Sequence, residues 1–159
     1  MKAIAITEFG GRDKLQLMEL PLPEAGRNEI LVRVRAAGVN PVDWKIREGY
    51  LKDLFPHRFP VILGWDAAGT VITVGQEVHS FKEGDEIFAY CRKPLVQNGA
   101  YAEYIVLEEE HAALKPKNSS FEQAASIPLA GLTAYQALFD AARLQPGETV
   151  LIHAAAGGV

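Results

Sequence analysis

Glycine spacing between residues 64 and 84 restricts this part of the chain to short extended segments. The glycines separate runs rich in β-branched and aromatic residues, and they occur at Gly64, Gly69, Gly75 and Gly84. Because glycine weakens the interior of a strand but suits turns and bulges, each run predicts one short strand. Many short strands separated by glycines are typical of a compact, partly open β-barrel.

Further strands are predicted on both sides of this region. Alternation between Glu29 and Ala37 places Ile30 on one face and Arg33 on the other, as in a half-buried antiparallel strand. Other strands are predicted at Lys2 to Thr7, Leu15 to Glu19 and Gly99 to Leu107. Residues 50–59 and 91–98 are predicted to be loops. We therefore expect a mainly β chain with short helices.

Capping signals predict where the helices begin. Asn40 stands at an N-cap position with Pro41 at the first helical position, which predicts one or two helical turns up to Glu48. Ser119 or Ser120 offers a second N-cap, because Glu122 and Gln123 stand at the matching capping-box positions. Pro128 interrupts that helix, and apolar residues at helical spacing predict a longer one over residues 129–142.

The composition argues against several classes of function. The formal net charge is −4 and no basic cluster offsets it, so we expect no nucleic-acid partner. There is no signal-peptide pattern and no apolar stretch long enough to cross a bilayer, so we expect a cytoplasmic protein without membrane contacts. The single cysteine, Cys91, allows neither an intrachain disulfide nor a multi-cysteine zinc site.

The last residues, Thr149 to Val159, have the pattern of a nucleotide-binding unit. Val150 to Ile152 form an apolar run typical of a buried parallel strand, and Ala154 to Gly158 supply small residues that let a backbone approach a phosphate. The helix that should follow is absent, so we expect a truncated second domain. The predicted domains are residues 1–124 and 125–159. We also expect the unpaired strand at Thr149 to His153 to pack against its own domain or to pair with a neighbouring copy, forming a homo-oligomer.

Six segments in a definite order carry the pattern of a known family. They are residues 38–49 (GVNPVDWKIREG), 64–78 (GWDAAGTVITVGQEV), 84–90 (GDEIFAY), 99–104 (GAYAEY), 121–138 (FEQAASIPLAGLTAYQAL) and 147–159 (GETVLIHAAAGGV). Together they resemble the medium-chain dehydrogenase/reductase superfamily, and within it the zinc-free, zeta-crystallin-like quinone oxidoreductases. The resemblance implies a GroES-like substrate domain followed by the first helix and strand of a truncated Rossmann domain.

The resemblance also implies a function. Full-length members look like reductases that use NADP(H) to move hydride to a quinone or an activated C=C bond, a small-molecule substrate bound between the two domains. The 159-residue chain alone is expected to be inactive. A non-catalytic GroES-like binding or assembly module is the alternative, and an enoyl-thioester reductase is an alternative within the enzymes.

Candidate cofactor-binding residues follow from the matched motifs. The resemblance places Asn40 near the nicotinamide, Thr133 beside it, and a phosphate-binding turn at Ala156, Gly157, Gly158 and Val159. Each has a structural alternative. Asn40 would serve as a helix cap, Thr133 would bond to the preceding helical turn, and the glycines would only turn a strand into a helix.

Other polar residues near these motifs are candidates for the cleft. Tyr50 lies close to a tyrosine that lines the cleft in relatives, where it is placed one residue later, so it is a candidate proton donor or a packing phenol. Asp43 and Asp66 could also line the cleft, although Asp43 suits the N-terminus of a short helix.

No catalytic or structural zinc site is expected. In zinc-dependent relatives the segments matching residues 39–41 and 64–66 carry a cysteine and a histidine ligand, whereas here their centres are Asn40 and Trp65. Neither an amide nor an indole replaces those ligands. The histidines at positions 57, 79, 111 and 153 show no ligand spacing and are interpreted as surface or structural residues.

Overall fold

The chain forms nine β-strands and three α-helices in a computed structural model that describes Met1 to Val159. The strands are β1 (Lys2–Ile6), β2 (Gln16–Glu19), β3 (Glu29–Gly38), β4 (His57–Ile62), β5 (Asp66–Val74), β6 (Glu86–Tyr90), β7 (Val96–Asn98), β8 (Tyr104–Glu108) and β9 (Ala112–Leu114). The helices are α1 (Pro41–Arg47), α2 (Phe121–Ala125) and α3 (Pro128–Tyr135). None of them has both the length and the apolar character that a membrane crossing needs. The predicted mainly β fold with short helices is confirmed.

The strands pair in two sheets. One sheet has the order β2-β1-β4-β7 and the other β8-β3-β5-β6-β9. All neighbours are antiparallel except β4 and β7, which run parallel. An isolated bridge between Ala3 and Ala102 joins β1 to the segment before β8. Helix α2 packs on β3 and β5, and α3 lies over β5 and β6, so the second sheet carries both helices.

The largest apolar cluster belongs to the second sheet. Ile30 and Val32 of β3 are fully buried whereas Arg33 is exposed, which confirms the predicted alternation. These side chains belong to one cluster with Val71 of β5 and Ile87 of β6. Burial of each side chain of this size contributes about 1.5–3 kcal/mol, so the three adjacent strands form a well-packed support for the helices above them.

Two strands lie where loops are predicted. Strand β4 occupies residues 57–62, and its last residues Val61 and Ile62 pair with β1. Strand β7 occupies residues 96–98 and pairs with β4 in parallel. Prolines and aromatic residues interrupt the alternation of apolar and polar residues in these segments, so the sequence does not indicate a strand. Their strand structure depends on partners distant in the sequence, which a local pattern does not show.

The predicted helix starts are confirmed. Helix α1 begins at Pro41, with Asn40 as its N-cap residue. Helix α2 begins after Ser120 rather than Ser119, because the Ser120 hydroxyl accepts the Gln123 N–H at 3.2 Å. The Gln123 side-chain oxygen accepts the Ser120 N–H at 2.9 Å in return. Helix α2 therefore starts where its own sequence satisfies a first unpaired backbone N–H group, whereas the Asn40 side chain makes no cap hydrogen bond to α1.

The C-terminal part differs from the prediction. Helix α3 ends at Tyr135 and continues as the π-helical segment Gln136–Ala141, where one regular helix is predicted. Residues 149–153 form no strand, and Leu151 is 80% exposed, so the predicted packing of this segment against its own domain is wrong. A parallel strand forms only beside other strands, and neither sheet of this chain pairs with it. Pairing with a second copy stays a prediction.

The close approach of β3 and β5 makes Gly69 sensitive to substitution. Gly69 is paired with Val34, and a Cβ atom at Gly69 would overlap the Arg33 carbonyl oxygen. We expect Gly69→Ala to lower the free energy of unfolding by about 1–3 kcal/mol, measured by urea denaturation, because backbone must shift to make room. Gly11→Ala is the control, since its Cβ would meet only the exposed Asp13 side chain. Equal losses in the two variants would contradict this account.

Candidate functional site

Two aspartates are buried close to the start of helices. Asp43 in α1 is 4% exposed, and Asp66 at the first position of β5 is 1% exposed. Neither carboxylate takes part in any ion pair of the chain. A buried charge without a cation needs hydrogen-bond donors instead. The donors around these two groups therefore define the site.

Asp43 is held by three donors from different parts of the chain. Its Oδ2 accepts the Asn40 backbone N–H at 2.7 Å and the Tyr101 hydroxyl at 2.9 Å. Its Oδ1 accepts the Gly64 N–H at 3.1 Å. Gly64 has φ +94°, a left-handed conformation that glycine adopts without strain. Asp43 thus ties the start of α1 to the turn before β5.

Asp66 serves as the missing cap of α3. Its Oδ1 accepts the Leu129 N–H at 2.9 Å, and its Oδ2 accepts the Asn40 Nδ2–H at 2.8 Å. The N-cap residue of α3 is Ile127, whose side chain cannot accept a hydrogen bond, and Pro128 has no N–H. A carboxylate at a helix N-terminus is stabilising, because it pairs with unsatisfied N–H groups and with the positive end of the helix dipole.

Burial raises the pKa of both aspartates. Loss of hydration is the largest cause in each case, and the hydrogen bonds from Asn40 oppose it. The negative charge of Asp43 raises the pKa of Asp66 further. Desolvation, and then the charge of Asp43, also raise the pKa of Tyr101 well above its ordinary range, so Tyr101 stays protonated as a donor.

Thr133 lies apart from this network. It is exposed, and its hydroxyl donates to the Leu129 carbonyl oxygen at 2.7 Å, one turn earlier. This is the bond to the preceding helical turn that the sequence leaves open as the structural alternative for Thr133. It makes no hydrogen bond to Asn40, Asp43 or Asp66.

An aromatic cluster surrounds Trp65. Trp65 is buried and lies edge to face with Phe55 at 6.1 Å and with Tyr90 at 6.2 Å between ring centroids. The Arg92 guanidinium lies 4.8 Å from the Phe55 centroid and 5.7 Å from that of Trp65. Burial raises the pKa of the nearby Cys91 thiol to about 12, which disfavours the thiolate that a metal requires.

An apolar cavity of about 480 Å³ lies between α3 and the strands β6 and β9. Tyr90, the partner of Asp66 in the β5–β6 ladder, lines it. Most of its other walls are apolar, including Phe88, Ile127 and Leu132. Pockets with apolar walls and few polar groups are the usual form of small-molecule sites.

Comparison with known proteins assigns the fold to a family. The sequence profile of the alcohol dehydrogenase GroES-like domain matches residues 26–117, more than half of the chain. The chain belongs to this family. Within the medium-chain dehydrogenase/reductase superfamily it falls in the quinone oxidoreductase branch, as the relatives below show.

Three relatives illustrate the similarity of this GroES-like chain. A chloroplastic quinone-oxidoreductase homolog of Spinacia oleracea is 40% identical over all of the chain and 50% of its own length. The chloroplastic NADPH-dependent alkenal/one oxidoreductase of Arabidopsis thaliana is 40% identical over all of the chain and 42% of its own length. The crystal structure of Escherichia coli quinone oxidoreductase complexed with NADPH is 35% identical, with a TM-score of 0.81, over 93% of this chain and 43% of that one. The chain spans about half the length of the curated relatives it matches.

The structure brings together only some of the predicted site residues of this GroES-like domain. Asn40 belongs to the network around Asp43 and Asp66, whereas Thr133 is exposed and bonds only within α3. Tyr50 follows α1, is 67% exposed, and packs edge to face on Trp44 with ring centroids 5.7 Å apart. The predicted phosphate-binding residues Ala156, Gly157, Gly158 and Val159 are all exposed. The Gly157 N–H donates to the Ala154 carbonyl oxygen at 2.8 Å, so this segment forms a turn that is separate from the network.

Two members of the network have no signal in the sequence. Tyr101 reaches Asp43 across 58 residues, and Leu129 contributes a backbone N–H that any residue but proline could supply. Asp43 and Asp66 are identified from the sequence as cleft candidates, but their partners are not. A carboxylate in a motif indicates a polar site, whereas its donors depend on tertiary contacts.

One exposed histidine lies beside two carboxylates. The structure brings a ligand atom of His111 within 4.8 Å of carboxylate oxygens of Glu108 and Glu110, although the spacing of the histidines indicates no ligand set. Glu110 and His111 are exposed. Exposed acidic groups are common without an ion. This juxtaposition therefore assigns no metal site.

The raised pKa of Asp43 predicts a specific dependence of stability on pH. A carboxyl whose folded pKa exceeds its ordinary value near 3.8 binds its proton more tightly in the folded chain. The free energy of unfolding therefore falls as the pH rises from that value through the folded pKa, by about 1.4 kcal/mol for each unit of difference. We expect the stability of Asp43→Asn relative to the unmodified chain to rise between pH 4 and pH 7, measured by urea denaturation at several pH values in that interval.

Glu109→Gln is the control of opposite sign. Hydrogen bonds from Ser80, and then from His79, lower the pKa of Glu109, so its contribution to stability is present at neutral pH and is lost as the pH falls. The stability of Glu109→Gln relative to the unmodified chain should therefore fall as the pH rises. If the free energy of unfolding of both variants differed from that of the unmodified chain by the same amount at every pH, this interpretation of Asp43 would be wrong.

Proposed function

We propose that this chain is the substrate domain of an NADPH-dependent, zinc-free reductase that transfers hydride to a quinone or to the C=C bond of an enone. The observation that carries the proposal is the Asn40 amide, which is partly exposed and held by a buried carboxylate at 2.8 Å. The identity to a quinone-oxidoreductase homolog and to an NADPH-dependent alkenal/one oxidoreductase supports the two substrate classes. The NADPH complex of a 35% identical structure supports the cofactor.

The residues present fit a nicotinamide cofactor better than a catalytic metal. A nicotinamide needs directional hydrogen-bond partners, and the Asn40 amide would supply one. When bound, the cofactor would supply the hydride, so the chain needs no nucleophile. The residues of this chain would bind and orient the cofactor and the substrate, and they would exclude water from them. At the position of the zinc ligand, Trp65 packs among aromatic rings and has no lone pair to offer.

The proposed contacts divide among three parts of the chain. Asn40, at the start of α1, and Thr133, in α3, would contact the nicotinamide. Residues 156–159 would contact the cofactor phosphates. Tyr50 would donate a proton to the product. A quinone or enone is a small neutral substrate, and the apolar cavity that Tyr90 lines suits it.

The activity is tested with protein expressed from its complete reading frame. We expect a quinone and an enone to cause loss of NADPH absorbance, with no requirement for zinc after treatment with a chelator. Asn40→Ala should raise the KM for NADPH about threefold to tenfold, because one hydrogen bond to the ligand is worth about 0.5–1.5 kcal/mol. Ser120→Ala, which only uncaps α2, is the control. Absence of NADPH binding by the unmodified protein would refute the proposed function.

Tyr50 has a separate test. Tyr50→Phe removes the hydroxyl and keeps the ring that packs on Trp44. If the phenol donates the proton, kcat should fall by about a hundredfold or more, with the free energy of unfolding unchanged. An unchanged kcat would show that Tyr50 only packs against α1.

A further inference from the structure

We propose that Asp66 is a positioning residue that sets the direction of the Asn40 amide, so that Asn40 accepts a hydrogen bond from the cofactor through Oδ1. This inference rests on the proposed function, because it concerns the same cofactor contact. An asparagine near a nicotinamide can have either of two roles, as a hydrogen-bond acceptor for the cofactor or as a donor to the substrate, and the inference assigns the first. The amide would accept from an N–H or O–H donor of the nicotinamide nucleoside, rather than donate to a substrate carbonyl.

The direction of the amide follows from the chemistry of its partner. An ionised carboxylate only accepts hydrogen bonds, and Asp66 accepts at both oxygens, from Asn40 Nδ2 and from the Leu129 N–H. The opposite orientation of the amide would place Oδ1 against a carboxylate oxygen. Two acceptors facing each other in a buried site lose a hydrogen bond and repel. Nδ2 is therefore the end that points to Asp66. Oδ1 points away from Asp66, on the side of the first turn of α1, where it makes no cap hydrogen bond and keeps its lone pairs for a ligand donor.

Asp66 is well suited to hold this direction. Its side chain is fully buried and lies at the first position of β5, which pairs with Gly38 of β3 on one side and with Tyr90 of β6 on the other. A Cβ atom at Gly38 would lie 2.9 Å from the Asp66 Cβ, so the two strands are in close contact there. The carboxylate therefore has little freedom to follow a reoriented amide.

The same carboxylate also fixes α3, so loss of Asp66 would have two effects. Removing the charge would weaken the cap at Leu129 as well as release Asn40. A fall in affinity alone would not separate positioning from stability. The decisive measurement is therefore a preference between two cofactors that differ in one hydrogen-bonding group.

The test uses Asp66→Asn in protein expressed from its complete reading frame. In this variant the new carboxamide keeps its oxygen toward the Leu129 N–H and turns its NH2 toward Asn40. The Asn40 amide should then reverse, placing Nδ2 toward the ligand. The binding constants of NADPH and of its 3-acetylpyridine analogue, whose acetyl group accepts but does not donate, are measured for both proteins.

The expected result is a reversal of preference. In the unmodified protein NADPH should bind about threefold to tenfold more tightly than the analogue, since only the carboxamide can donate to Oδ1. In Asp66→Asn this ratio should fall to one or below. If both cofactors instead weaken equally, about threefold to tenfold, the donor is a ribose hydroxyl only if the double variant described below restores both affinities, and without that recovery the proposal is overturned.

A double variant and a control separate positioning from folding. In Asn40→Asp combined with Asp66→Asn, the donor and acceptor are exchanged, the net charge is unchanged, and an oxygen again faces the ligand. The double variant should recover NADPH affinity to within about threefold of the unmodified protein. Ser120→Ala uncaps α2 without touching Asn40, so it should reduce stability and leave the ratio of the two cofactors unchanged.

An NMR measurement tests the orientation without any cofactor. The Asn40 side-chain NH2 signals should be slowed in hydrogen exchange in the unmodified protein, and they should lose this protection in Asp66→Asn. Unprotected signals in the unmodified protein would overturn the proposal even if NADPH binds. Protected signals in a protein that does not bind NADPH would refute the ligand contact and the proposed function together. An unaltered ratio of NADPH affinity to analogue affinity in Asp66→Asn, with unaltered NADPH affinity, would overturn the proposal while the proposed function stands.

Discussion

Burial of the Asp66 carboxylate without a cation is the constraint on which the candidate site depends. The charge is stable only because Asn40 and the Leu129 N–H both donate to it. Leaving a buried charged group without one of its hydrogen-bond partners costs about 1.5–3 kcal/mol or more. This cost exceeds the stabilisation that an ordinary hydrogen bond contributes. The two donors belong to different helices. One buried side chain on β5 therefore sets the start of α3 relative to the start of α1.

Asp43 performs a related task on the other side of Asn40. It accepts the Asn40 backbone N–H and also holds the turn at Gly64 and the Tyr101 hydroxyl. Asn40 is thereby fixed twice, through its backbone by Asp43 and through its side chain by Asp66. Buried carboxylates often act as acids or bases. Here every carboxylate oxygen accepts at least one hydrogen bond from the protein, so positioning explains their burial without a proton-transfer role.

Local sequence signals were sufficient to predict a structural element where neighbouring residues determine its start. Asn40 with Pro41 and Ser120 with Gln123 specify helix starts within four residues, and the structure has them there. Strands β4 and β7 were not predictable in this way, because Val61 and Ile62 pair with β1 across more than fifty residues. The terminal apolar run at residues 150–152 reads as a strand, yet it forms none without neighbouring strands.

The sequence by itself determined the mainly β class, the capped helices and the family, because alternation, capping and motif order are encoded in neighbouring residues. It also indicated Asn40 and Asp66 as polar residues of one cleft. Only the tertiary structure decided which atoms meet, namely that Nδ2 of Asn40 faces Asp66 and that Asp66 caps a helix lacking a cap of its own. The physical reason is that the hydrogen-bond donors of a buried carboxylate are set by tertiary packing. For Asp66 those donors lie 26 and 63 residues away in the sequence.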